Sequence, residues 1–162
     1  MATSLTHLDE SGRAQMVDVG SKPASIRTAK AEGLIAMKPE TLDLIQHHQH
    51  KKGDVLGVAR IAAIMSSKRC AELIPLCHVI NLVQVLVDFE FLRQRSAIKI
   101  LVTTKAQDKT GVEMEALTAV SVGLLTLYDM CKSTDRGMRI EAIHLSEKSG
   151  GRSGVWRVGD LA

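Results

Sequence analysis

Aromatic side chains are almost absent from this chain. Phe89, Phe91, Tyr128 and Trp156 are the complete set in 162 residues. So sparse a set argues against a surface that holds nucleic acid by stacking bases on rings. Strong charge of one sign is absent too. The 21 Lys and Arg stand against 18 Asp and Glu, a formal net charge of +3, short of the basic bias of a nucleic-acid binder. Cysteines number three, an odd count. Cys70, Cys77 and Cys131 form no close pair, and no secretory signal precedes them, which points to a reducing, cytoplasmic setting. Long hydrophobic runs are missing as well: the longest uncharged stretch, Ala116 to Tyr128, is short for a membrane span.

The length suits one domain with a real core. Residues 1–15 are polar and aperiodic and read as a loose arm. Residues 16–154 read as the domain, and 155–162 as a tail. "RTAKAEGLIAM" alternates as a strand, with Ala29, Ala31, Ile35 and Met37 on one face and Lys30 and Glu32 on the other. Pro39 suits the first turn of a short helix ending near His48. Asp54 is placed to cap the next helix, whose apolar spacing puts Val55, Val58, Ala59, Ala62 and Met65 inward as it runs toward Leu73. Two alternating segments follow. One sets Val83, Val85, Val87, Phe89 and Phe91 against polar neighbours, and the other does the same with Ile98, Ile100 and Val102. The polar link "RQRS" makes them a hairpin. A long helix is expected from Thr110 to about Lys132, and a last strand from Met138 to Ser146. Strand, helices, two strands, helix, strand is the order of a split βαβ α+β fold, an antiparallel sheet with helices on one face. One such sheet covers only one side of an uncharged helix. The long helix is therefore expected to pack against a second subunit.

Several stretches carry chemistry, each with a plainer reading beside it. Thr110 and Glu113 fit a capping box. Glu115 either complements the helix dipole or meets a polar ligand group. Asp129 and Lys132 share one helical face, either as an exposed ion pair of small worth or as a desolvated acid–base pair. In "LIPLCH", Cys77 and His78 are sequence neighbours and so point apart. A structural cysteine and a His78 that donates to an anion suit this stretch better than a nucleophile pair or zinc. "HHQHKKGD" is either a solvated helix end or a cluster of metal ligands, and Lys51 and Lys52 there could face a phosphate. "KSGGRSG" lacks the P-loop ending. It is either a frayed tail or a loop that wraps phosphates with backbone N–H groups, Lys148 and Arg152.

"MVDVGSK", "KKGDV", "LIPLCH", "TGVEMEALTA", "LYDMCK" and "KSGGRSG" occur in this order. With them the chain, from Met16 to about Gly154, closely resembles the molybdenum cofactor biosynthesis protein C family, the cyclic pyranopterin monophosphate synthases. The resemblance implies a ferredoxin-like fold and homohexamers built as trimers of dimers. It implies a lyase that rearranges a cyclised dihydro-GTP into cyclic pyranopterin monophosphate and releases pyrophosphate. Asp129 and Lys132 would form the acid–base core. Lys52, His78 and Lys148 would line the pocket, with Arg27 meeting phosphate. Leu76, Cys77, Met114, Glu115 and Glu113 would fall in the substrate-binding stretches. No resident cofactor or metal site is implied, and magnesium on the triphosphate stays open. Nucleic acid and membrane are not expected partners. Glu115 and Asp129 lie roughly 21 Å apart along a straight helix, so a site that uses both is expected to be shared between subunits. Val79 stands where many relatives carry proline, which leaves the orientation of His78 less constrained. A silent nucleotide- or pterin-binding protein on the same scaffold is the alternative.

Overall fold

The alternation of the first strand decides its place. β1 (Ser25–Ala36) buries Ala29, Ala31 and Ile35 while Lys30 stays exposed. A computed structural model describes residues 7–9, 11–49, 51–151 and 154–160. In it β1 pairs antiparallel with β3 (Ala97–Asp108) on one side and β4 (Arg139–Ser149) on the other. β2 (Leu82–Leu92) lies outside β3, and a short β5 (Val155–Arg157) lies outside β4. The order is β2-β3-β1-β4-β5. The first four strands have the expected ferredoxin-like α+β arrangement, with helices α1 (Pro39–Gln46), α2 (Val55–Ser67), α3 (Cys70–Leu73) and α4 (Glu113–Cys131).

α4 lies across β1, β3 and β4 and packs along α2. The contact is close because two glycines open it. A Cβ on Gly33 would stand 2.8 Å from Leu124 Cδ1 and 2.9 Å from Val120 Cγ1. A Cβ on Gly123 would stand 2.5 Å from Ile100 Cδ1 and 3.3 Å from the Ala63 Cβ. These neighbours are all fully buried and have nowhere to move. Gly33→Val is therefore expected to cost roughly 1–3 kcal/mol by overpacking, read as a lowered urea midpoint.

Four details depart from the pattern of the sequence. First, α2 turns Val55, Ala59 and Ala63 inward, while Val58 and Met65 are exposed beside Ile61. The small Ala59 and Ala63 fit against Gly123, and that fit selects the inner row. α2 also stops at Ser67, and α3 is a separate turn. Second, Val83 faces out because a register shift between Leu82 and Gln84 changes the parity of the strand. Third, the capping box is not formed. Val112 holds the N-cap position with no side-chain cap, and Glu113 pairs with Lys148 instead. Fourth, β4 runs on to Ser149 and pairs with β5, so Lys148 stands on a strand. By length and composition α4 is apolar enough to cross a membrane. Here it is the core helix, and α2 covers a second side of it within the chain, while Leu125 stays exposed.

Candidate active site

The loop from β3 into α4 carries Thr110 and Gly111, and two adjoining cavities meet there. The first, of about 310 Å³, is lined by Lys22, Arg27, Lys109 and Lys148, with Glu113 as its carboxylate. The second, of about 340 Å³, is lined by Leu76, Cys77, His78, Met114 and Glu115, and by Val17 and Val19. Lys22, Thr110, Gly111 and Glu113 border both.

The first cavity is an anion cradle by charge: four cationic side chains against one carboxylate. Two of its cations are placed by the sheet. Arg27, near the start of β1, donates from Nε to the Asp108 carbonyl at 3.3 Å and from Nη2 to the Lys109 carbonyl at 3.2 Å. Lys148, near the end of β4, reaches Glu113 Oε1 at 3.0 Å. The turn after β4 folds over Arg27. A Cβ on Gly151 would run into the Arg27 guanidinium, and one on Gly150 into the Ile26 carbonyl. Both glycines also hold left-handed backbone, with φ of 69° and 103°. Arg152, expected beside Lys148, lies outside the described residues, as does His50.

The second cavity is more apolar and holds a buried acid. Glu115 is 3% exposed, and its Oε2 has no hydrogen-bond partner among the described residues. Burial pushes this carboxyl above its ordinary range. Its own backbone N–H pulls the other way, and the charges of Glu113 and Asp108 push it further up. A proton, or a donor brought from outside the chain, relieves such a group. The dipole reading of Glu115 is thus the weaker one. Burial also raises the Cys77 thiol, and it pushes Cys70, beside Thr118, up to about 11. Neither is a ready thiolate. His78 points its ring toward the N-terminal segment, where Nε2 donates to the Val17 carbonyl at 2.7 Å.

Asp129, Lys132 and Lys52 are elsewhere, at the far end of α4. Lys132 Nζ meets Asp129 Oδ1 at 2.6 Å, and Lys52 Nζ donates to the Asp129 carbonyl at 2.9 Å. None of the three borders either cavity. The ion pair is exposed in the single chain. The hydrogen bond from Lys132 holds the Asp129 carboxyl below its usual range, and the same bond raises the Lys132 ammonium. Both shifts run away from neutral pH, so in one isolated chain the pair is a salt bridge, not a proton shuttle. Desolvation on assembly would be needed to change that. Sequence reasoning singled out eight residues that the cavities bring together. It missed Lys22 and Lys109, although each sits at the edge of a motif already noted. Among the described residues, no three His, Cys, Asp or Glu side chains gather as a metal site.

Residues 16–151 match the MoaC family. The chain is 60% identical over 153 residues to a cyclic pyranopterin monophosphate synthase of Methylobacterium nodulans, covering 94% of this chain and 96% of that protein. A protein of the same name from Methylobacterium sp. strain 4-46 is 60% identical with the same coverage. Another, from Thermomicrobium roseum, is 55% identical, covering 94% of this chain and 92% of its own. The match spans the strands that carry Arg27 and Lys148, the turn that carries His78 and the whole of α4, and on it the chain belongs to the MoaC family.

Proposed function

We propose that this protein is a cyclic pyranopterin monophosphate synthase. It converts 3',8-cyclo-7,8-dihydroguanosine triphosphate into cyclic pyranopterin monophosphate and pyrophosphate, an early step in making molybdenum cofactor. One observation carries the reading beyond family membership: a cavity walled by four cations adjoins a cavity holding a buried acid. Arg27, Lys148 and Lys22 suit the triphosphate and its leaving pyrophosphate. The second cavity suits the purine-derived rings, with Glu115 as a hydrogen-bonding group for a ring nitrogen or an exocyclic amine. A ribose-derived hydroxyl gives its proton to the Asp129–Lys132 acid–base pair and attacks the α-phosphorus. The bond from that phosphorus to the bridging oxygen breaks, and pyrophosphate leaves with the electron pair, its charge met by Arg27, Lys148 and Lys22.

The acid–base core is Asp129 and Lys132, supported by Lys52, and it is supplied by a neighbouring subunit. Two features favour this. The pair sits at the opposite end of α4 from the cavities, and Val58, Ile61 and Met65 of α2 are exposed apolar side chains with Leu125 of α4 beside them in kind. The assembly we infer is a homohexamer, a trimer of dimers, in the cytoplasm, where free thiols such as Cys70, Cys77 and Cys131 persist. Neither nucleic acid nor membrane is part of this reading.

Incubation with the cyclised dihydro-GTP is expected to release pyrophosphate and the pterin product together. No product above a heat-killed control overturns the enzyme reading and leaves the silent binding protein. Asp129→Ala separates the two readings further, because an enzyme loses turnover while keeping ligand affinity.

A further inference from the structure

The segment 16–22, "MVDVGSK", belongs to no helix or strand and lends Val17, Val19 and Lys22 to the wall of the second cavity and Lys22 to that of the first. Two side chains of the site hold it. His78 Nε2 donates to the Val17 carbonyl at 2.7 Å, and Lys109 Nζ donates to the Gly20 carbonyl at 2.7 Å. Between these two anchors the chain makes a turn. The Gly20 N–H donates to Asp18 Oδ1 at 2.7 Å, and the Lys22 N–H to the Val19 carbonyl at 3.1 Å. Only Val17 and Val19 are part-buried, so little apolar surface keeps this strap in place. Lys109 is also tied down through its own backbone. Its N–H donates to Asp108 Oδ1 at 2.6 Å, and its carbonyl accepts from Arg27 Nη2. One residue thus links the strand-borne cation Arg27 to the segment that carries Lys22.

We propose that Lys109 is a positioning residue: its ammonium docks the 16–22 strap through the Gly20 carbonyl, and so sets Lys22 at the seam between the two cavities. The physical reason is the thin attachment of the strap. With so few contacts, loss of one charge-assisted hydrogen bond moves its population toward an undocked state. Lys22 then no longer waits at the cradle, and an anion must order the segment before using it. Lys109→Arg keeps a cation within reach of the carbonyl, whereas Lys109→Met keeps the stem and loses the donor. That the anion is the substrate triphosphate rests on the function proposed above. The docking itself does not.

The test uses the full-length protein in two measurements. Hydrogen–deuterium exchange of peptides spanning 16–22, without ligand, should quicken in Lys109→Met, stay as in the parent in Lys109→Arg, and stay so in Lys22→Met. Unchanged exchange of α4 peptides controls for folding. Binding of inorganic triphosphate should weaken about tenfold in Lys109→Met, by a similar factor in Lys22→Met, and no further in the double variant. Strap exchange that is unchanged in Lys109→Met overturns the proposal. So do binding losses that multiply in the double variant, which would make Lys109 a separate phosphate contact. Neither readout requires turnover, so a failed synthase assay leaves the result interpretable.

Discussion

Asp129→Asn and Glu115→Gln, each strongly impaired alone, are expected to regain activity when mixed within one oligomer. Asp129→Asn should lose about a thousandfold in turnover, the scale of a positioned acid–base group. Its affinity for the triphosphate should persist, because the cradle lies at the other end of α4. Glu115→Gln removes the one carboxylate that is buried in the second cavity among the described residues and should cost about a hundredfold. In a mixed assembly, a site built from the cavities of an Asp129→Asn chain and the far helix end of a Glu115→Gln chain is intact. With random pairing, about a quarter of the shared sites qualify. Co-expression with two different tags, purification of the mixed species and the pyrophosphate assay give the readout. Activity near the background of each parent variant would return Asp129 to the role of an exposed salt bridge.

Glu115→Gln is also expected to raise stability, and to do so in a pH-dependent way. Burial first, then the nearby Glu113 and Asp108 charges, lift this carboxyl above its ordinary range despite its own backbone N–H. The sign follows from proton counts. Between the unfolded and folded values the native state holds a proton that the unfolded chain has released. The stabilisation is therefore complete below the unfolded carboxylate range, and it is lost as pH rises through the folded value. Glutamine has no proton to lose and leaves no charge stranded beside the unpartnered Oε2 position. Melting temperature measured from pH 4 to pH 8 on ligand-free protein should fall with pH more in the parent than in the variant. Equal slopes would mean that the carboxylate is paired in the assembled protein. A residue that costs the fold something at neutral pH yet remains in place is what a ligand-binding acid looks like before its ligand arrives.

Much of this fold could be read in the residues. β1 showed its two faces through Ala29 and Ala31 against Lys30, and the β2–β3 hairpin did so through Ile98, Ile100 and Val102. Asp54 caps α2 as its position suggested, accepting from the Gly57 N–H at 2.8 Å. The failures share a cause. α2 is apolar on two sides, and only Gly123 on another helix decides that Ala59 and Ala63 turn inward. Glu113 satisfies every local condition for a capping box, but a lysine 35 residues away takes its carboxylate. β5 has three residues and no pattern of its own, and pairing with Ser149, Lys148 and Glu147 makes it a strand. Lys22 and Lys109 are single lysines in polar segments. Their meaning arises only where the strap and the β3–α4 loop meet.

The nineteen residues of α4 act as a gauge of length. One end places Met114 and Glu115 and the other places Asp129, and the hydrogen-bonded backbone between them has no slack. Adding or deleting a single residue inside the helix would turn one end by about 100° relative to the other and shift it by about 1.5 Å. Gly123 and Leu124 would then leave their places against Ile100 and Gly33. The exposed turn Arg93–Arg95 can change in length at little cost to either end. Within α4, single substitutions leave the spacing of the two ends unchanged, while insertion and deletion are closed along its whole span.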